Sequence, residues 1–306
     1  MLPNPPDFAP PALQAVDLGE EFPATPTVQI LRLDQLHPEL GGNKWFKLQL
    51  NLRRLFQTNT RLVVSFGGAW SNHLRALAAA GEAFGFHTVG VIRGELPRPL
   101  NPVLAFARRR GMQLYPVTRA EYRDKDGECM RQRLQREFGD HYLLPEGGSN
   151  SLGYEGCKDI ASLLPPERPG CKRLIALPVG TGCTMAGLVA GLHETGAVRT
   201  RVAGVKVLRA DGYPETEIRS TLESEGLGHL DTWQVFDSHH GGGYARVPTE
   251  LSQFIGRFNA SQPFVIEPVY SGKLLWWLAD FIGSNQAGEF DELICLHTGG
   301  VYQDKT

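Results

Sequence analysis

Short apolar runs alternate with longer segments of helical composition along most of the chain. Leu62-Val63-Val64-Ser65-Phe66 reads as a buried strand that ends in Gly67-Gly68. The alanine- and leucine-rich stretch from Ser71 to Phe84 reads as a helix. A strand over His87 to Arg93, a proline-containing turn and a helix through Phe106 to Arg110 follow. Then come a strand over Met112 to Val117, a helix over Glu128 to Phe138 and a short strand at Tyr142-Leu143-Leu144. After Pro165-Pro166 and Pro169-Gly170 the pattern restarts: strand Arg173 to Val179, helix Thr184 to Thr195, strand Val202 to Leu208. Leu293 to Leu296 is a last buried strand before His297-Thr298-Gly299-Gly300. Strand, helix, strand in this repetition predicts an α/β fold of two lobes, with parallel twisted sheets and crossover helices on both faces. The expected small lobe is 47–157, and the larger lobe takes 1–46 and 158–306. Ligands in such sheets bind at the carboxyl ends of the strands, where the glycine-rich turns are expected to lie.

Composition narrows the class. The chain has 306 residues, 42% hydrophobic and 21% charged, which suits one large or two medium globular domains. A net charge of -2 gives no broad attraction for nucleic acid or an anionic membrane. The basic runs Arg108-Arg109-Arg110 and Arg131 to Arg136 read as solvated helix faces. The five cysteines are odd in number and none is at CxxC spacing, against a disulfide framework or a zinc site. Met1 to Asp7 has neither the basic nor the apolar region of a signal peptide. No apolar run approaches the ~18 residues of a membrane span. The expectation is a cytoplasmic protein with no metal, no nucleic acid and no membrane partner.

Several polar positions interrupt this pattern at the ends of strands. Gly41-Gly42-Asn43-Lys44 sets a lysine behind two glycines, and lysine is the side chain that forms Schiff bases with carbonyl cofactors. Phe66 to His73 ends a strand and opens a helix with Ser71-Asn72, a place where anionic groups are held. Gly180-Thr181-Gly182-Cys183-Thr184 makes a phosphate cradle between strand and helix. It is not the dinucleotide fingerprint, because Met185 stands where the third glycine belongs, and it lacks the ending of a P-loop. Taken singly, each stretch has a plain reading: a loop lysine, a helix cap, a strand-to-helix turn. Ser71 has no nucleophile elbow around it, and His239-His240 belongs to no metal spacing. Tyr244 and Tyr270 would pass for ordinary core or turn tyrosines.

Occurring together and in order, these stretches resemble the fold-type-II pyridoxal-phosphate-dependent enzymes, the tryptophan synthase β-like fold, typified by 1-aminocyclopropane-1-carboxylate (ACC) deaminase and D-cysteine desulfhydrase. The resemblance runs from about Leu40 to Gly300. It rests on Gly41 to Lys44 with Lys47-Leu48, on Gly67 to Asn72, on Pro145 to Asn150 and on Gly180 to Thr184. Pro268-Val269-Tyr270 with Gly272-Lys273, and Thr298-Gly299-Gly300, complete it. It implies pyridoxal 5'-phosphate as cofactor, a small amino acid as substrate and a homodimer. It implies that Lys44 carries the cofactor as a Schiff base and moves protons at the substrate. Gly180, Thr181, Gly182, Cys183 and Thr184 would hold the phosphate, and Asn72 the phenolic oxygen. Ser71, Asn72 and His73 would meet the substrate, with Tyr270 and Tyr244 beside it. Cys183 stands where a small serine-like residue is usual, so its backbone rather than its thiol is expected to act.

Two positions separate the members. ACC deaminases carry Glu after the tyrosine equivalent to Tyr270 and Leu before the last Gly-Gly, whereas desulfhydrases carry Ser and Thr. This chain has Ser271 and Thr298. A carboxylate beside the pyridine nitrogen strengthens the electron sink, which opening a cyclopropane demands; a hydroxyl suffices for β-elimination. The expectation is therefore a lyase, D-cysteine desulfhydrase first and ACC deaminase (a hydrolase) as the alternative. Rivals of other classes are a nucleotide-binding oxidoreductase and a non-catalytic binding protein of the same fold. The chain departs from the family at Leu31-Arg32-Leu33-Asp34, at Trp70 and in a shortened loop after Asn150. Leu274 to Leu278 is expected to be core.

Overall fold

The structure is a computed structural model that describes residues 8–16, 18 and 27–301. The signal-peptide reading at Met1 to Asp7 falls outside the described residues. The chain runs β1 (Leu13–Ala15), β2 (Thr27–Leu31), α1 (Asn43–Leu55), β3 (Leu62–Gly67), α2 (Asn72–Phe84), β4 (His87–Arg93), α3 (Pro102–Arg109) and β5 (Gln113–Val117). It continues with α4 (Arg119–Arg123), α5 (Glu128–Phe138), β6 (Tyr142–Leu144), α6 (Ser151–Lys158), β7 (Arg173–Val179), α7 (Cys183–Glu194) and β8 (Thr200–Lys206). The last elements are α8 (Glu215–Ser224), β9 (Trp233–Phe236), α9 (Thr249–Ser261), α10 (Ser271–Gly283) and β10 (Glu292–Leu296).

Two compact units result. The first holds His37–Gly156, and the second holds Ala9–Leu36 with Cys157–Val301. The sequence reading had assigned residues 37–46 to the larger lobe. A cut at 46/47 would divide α1, one uninterrupted helix, and the structure keeps that helix, and Lys44 with it, in the first unit.

The sheet of the first unit has the order β5-β4-β3-β6, all parallel. Side chains of alternate strand residues enter opposite cores. Val63 and Ile92 join the cluster that includes Leu48, Leu52, Leu77 and Leu104. Val64, Phe66, Val89 and Val91 join the cluster with Val117, Tyr122 and Leu134. Burial on both faces is why these strands read as continuous apolar runs rather than as alternation.

The sheet of the second unit has the order β1-β2-β10-β7-β8-β9. It is parallel except for β1, which pairs antiparallel with β2 at the edge. Its central strands are fully buried, and the Leu274 to Leu278 segment lies in α10 against them as core. At one end of β7 and β10 the cross-strand pair Arg173 and Glu292 is buried, with Nε to Oε2 at 2.5 Å. The main-chain carbonyls of Pro165 and Pro166 accept from Nη1 and Nη2 of Arg173, so each guanidinium nitrogen has a partner.

Candidate active site

In the first unit, the site residues cluster at two helix starts. Gly42, with φ 78°, is the N-cap of α1, so Lys44 is the second helical residue. Its Nζ donates to Asn43 Oδ1 at 2.8 Å. The glycine pair lies after a turn rather than directly after a strand, unlike the other glycine-rich turns of the sequence.

The second helix start is the junction of β3 and α2. Ser71 is the N-cap, and its Oγ accepts the Leu74 N–H at 3.3 Å. A Cβ on Gly67 would lie 2.5 Å from Ser71 Oγ, so only glycine lets the cap sit against the strand. Ser71 and Asn72 are half-buried, while Trp70 is 52% exposed. His73 is buried, its Nε2 2.8 Å from Ser65 Oγ. Burial, with the charges of Lys44 and Lys47 nearby, drives its pKa well below the usual range and keeps the ring neutral. Pro145 to Asn150 joins this cluster: Lys47 Nζ donates to Ser149 Oγ at 3.2 Å, and Asn150 and Tyr142 both bond Asn51. Ser65 and Asn51 were not singled out in the sequence. Ser65 was visible as the one hydroxyl in an apolar strand, whereas Asn51 is a nonlocal partner that no local signal announces.

In the second unit, Gly180 to Thr184 spans the junction of β7 and α7. Gly182 is the N-cap, at φ 82°, and has no side chain with which to cap the helix. A Cβ there would meet Ile218 Cγ1 at 2.8 Å. Cys183 and Thr184, in the first turn of α7, are buried. Tyr270 stands at the N-cap of α10 with its Oη 3.4 Å from Tyr244 Oη, and the two rings meet edge to face. A Cβ on Gly180 would lie 4.0 Å from the Tyr270 ring. Beneath Tyr270, the buried Glu267 carboxylate accepts the N–H groups of Val269, Tyr270 and Ser271 at 2.7 to 2.8 Å. Burial raises the pKa of Glu267, and these three donors work against that rise. Thr298 is buried in the turn after β10. The preceding His297 faces Asp34 at 3.4 Å, and Asp34 in turn holds Arg32 through two bonds. The altered Leu31 to Asp34 segment is therefore an ordered charged support for that turn.

The first unit thus carries an amine and a neutral imidazole at its helix starts, and the second unit carries a glycine-capped helix start and a pair of phenols. The pyridoxal-phosphate-dependent enzyme model matches residues 12–299 of this chain. The chain belongs to that family. Its cofactor is pyridoxal phosphate, and the residues present fit it. The glycine N-cap of the twelve-residue α7 leaves its first turn without a side-chain cap, as a bound phosphate requires, and Lys44 is an amine of the kind that could carry the cofactor.

Among curated relatives, the chain is 27% identical over 289 residues to a bifunctional D-cysteine desulfhydrase/ACC deaminase of Arabidopsis thaliana, covering 89% of this chain and 72% of the relative. It is 25% identical over 287 residues to a D-cysteine desulfhydrase of Klebsiella pneumoniae, covering 89% and 86%. Among solved structures, an ACC deaminase homologue superposes with a TM-score of 0.82 at 23% identity, over 97% of this chain and 90% of that one. That likeness establishes the fold. Membership of the family sets aside both the oxidoreductase and the non-catalytic readings. Among the described residues no helix is long and apolar enough to cross a membrane, and no cluster of three metal-ligating side chains occurs.

Proposed function

We propose that this chain catalyses β-elimination from a small D-amino acid, D-cysteine foremost. One water is taken up, and pyruvate, hydrogen sulfide and ammonia are released. The observation that carries this reading is a hydroxyl at two positions, Ser271 in place of the Glu and Thr298 in place of the Leu expected of an ACC deaminase. Ser271 is buried and its hydroxyl is committed to the 267–271 turn, where it accepts the Glu267 N–H at 3.0 Å. Thr298 offers a hydroxyl in the turn after β10. A relative named as a D-cysteine desulfhydrase supports the same choice, and the bifunctional relative is named for both activities.

When bound, the cofactor supplies an electron sink for charge developing at the substrate Cα. Lys44 holds the cofactor and, once released, takes the Cα proton. Ser71 and Asn72 would meet the substrate carboxylate, with the buried, neutral His73 beside them acting as a hydrogen-bonding group rather than as a cation. Asn72 would hold the cofactor's phenolic oxygen, and Gly180 to Thr184 its phosphate. Tyr270 and Tyr244 would frame the substrate side chain, and Thr298 would offer a hydroxyl to the ring nitrogen. The Cα–H and Cβ–S bonds break, the sulfur leaves with the electron pair, and water replaces the amino nitrogen to give pyruvate. We further propose a cytoplasmic homodimer: the compartment is supported by cysteines that form no disulfide, the dimer rests on the family resemblance alone, and sedimentation checks it.

The test is pyruvate release by the pyridoxal-phosphate-loaded protein given D-cysteine, with ACC and 2-oxobutanoate release run beside it. Turnover of D-cysteine alone is expected. Turnover of ACC alone would overturn the weight given to Ser271 and Thr298 and leave ACC deaminase as the activity. Turnover of neither would overturn both substrates.

A further inference from the structure

Lys273 is fully buried in the first turn of α10, three residues after Tyr270. Its Nζ donates to two main-chain carbonyls, Val207 at 2.9 Å and Gly243 at 2.8 Å. Burial draws the amine down to about 8, against a smaller opposing pull from Glu267. An apolar side chain of similar length would avoid that cost, so packing alone does not explain an amine here.

The two carbonyls explain it. Val207 directly follows β8, and its N–H donates to Val179 O at 3.1 Å, so it is pinned to the end of β7 beside Gly180. Gly243 closes a run of three glycines, all at positive φ, immediately before Tyr244. Such a run has little stiffness of its own, and ordering it costs backbone entropy. An ammonium that grips its last carbonyl supplies the missing constraint. We propose that Lys273 is a positioning residue, tying the Gly241–Tyr244 turn to the end of β8 and thereby holding the Tyr244 hydroxyl opposite that of Tyr270. The part of this proposal that concerns turnover rests on the reading of Tyr244 and Tyr270 given above; the tether itself does not.

The experiment compares wild type with Lys273→Met, both as holoenzyme, by hydrogen exchange over residues 239–247 and by steady-state kinetics with D-cysteine. Exchange at 242–246 is expected to quicken at least tenfold, with 267–272 little changed. The kcat is expected to fall more than tenfold, with KM moving less than threefold. The variant that also carries Tyr244→Phe should be no slower than Tyr244→Phe alone, because Lys273 acts through that tyrosine. Unchanged exchange would overturn the tether. Quickened exchange with unchanged kcat, while Tyr244→Phe is slow, would overturn the positioning role. A Tyr244→Phe variant as fast as wild type would instead place the failure in the functional reading. Should Lys273→Met not fold, Lys273→Ala folded in ammonium chloride serves. Ammonium is expected to restore protection and kcat, whereas tetramethylammonium at equal concentration is not, and equal effects of the two salts would overturn the proposal.

Discussion

The chain passes from buried parallel strand to helix at β3–α2 and again at β7–α7, and it finishes the two helix starts in opposite ways. At α2 the N-cap is Ser71, whose hydroxyl accepts a first-turn N–H and closes the helix on itself. At α7 the N-cap is Gly182, left-handed and without a side chain, so the first turn depends on another source for its capping acceptor. The lesson is that one supersecondary unit yields two kinds of site. On the proposed function, the self-capped start is the one that works through side chains, Ser71 and Asn72 foremost. The start without a side-chain cap presents main-chain N–H groups and the helix dipole to an anion.

Filling the second cap is the harshest way to break that contrast. Gly182→Asp forces a non-glycine residue into φ 82°, at roughly 1–2 kcal/mol, with its Cβ against Ile218. It also sets a carboxylate where a phosphate is to bind. The pyridoxal-phosphate Kd of the apoenzyme should rise at least ~100-fold, roughly 2.7 kcal/mol, by absorbance titration. A change of less than threefold would end the phosphate assignment of this turn.

Removing the first cap should act elsewhere. Ser71→Ala should lower unfolding stability by about 1 kcal/mol, the usual worth of a serine cap. The KM for D-cysteine should rise about tenfold, a loss of roughly 1.4 kcal/mol in substrate binding. The cofactor Kd should stay within about threefold, because the phosphate is held in the other unit. A large loss of cofactor affinity would show that the two starts do not divide the work as their caps suggest.

Much of this contrast was legible in the sequence, and what was not has a physical reason. Strands β3 and β7 were visible because burial on both faces makes an uninterrupted apolar run, and the glycines after them marked the turns. The opposite capping was half legible: Ser71 stands out as a cap, whereas the missing side-chain cap at Gly182 follows from a backbone angle. Helix α1 was missed because buried polar residues, Lys47, Gln49 and Asn51, break its apolar stripe. Their partners, Ser149, Gly156 and Asn150, lie some hundred positions away. The same holds for Lys273 and Glu267, which bind backbone atoms that no pattern of residue types can announce.

The two units also differ in how their buried histidines meet acid. His73 stays neutral in the folded chain, whereas the unfolded chain takes up a proton below about pH 6.5. Proton uptake then favours unfolding, so stability is full above that pH and drains below it, by at most about 1.4 kcal/mol per pH unit. His297 is also lowered by burial, but Asp34 opposes the shift. Thermal unfolding between pH 7 and 5 should therefore lose more of its acid sensitivity in His73→Gln than in His297→Gln. The reverse order would mean that the Asp34 carboxylate does not offset burial in the second unit.

The smallest effect sharpens the comparison most. If α7 binds phosphate through its backbone, the side chain in its first turn is replaceable. Cys183 opens α7 and is buried, at a position where the family resemblance leads one to expect a small serine-like residue. Serine is slightly smaller, keeps the N–H and adds a hydroxyl donor, so Cys183→Ser should leave the cofactor Kd within about twofold, less than 0.5 kcal/mol. A tenfold weakening would mean that the thiol itself shapes the cradle through packing. A tenfold tightening would mean that side-chain donors, as at α2, matter here too. Either result would erase the distinction between a helix start that works through its side chains and one that works through its main chain.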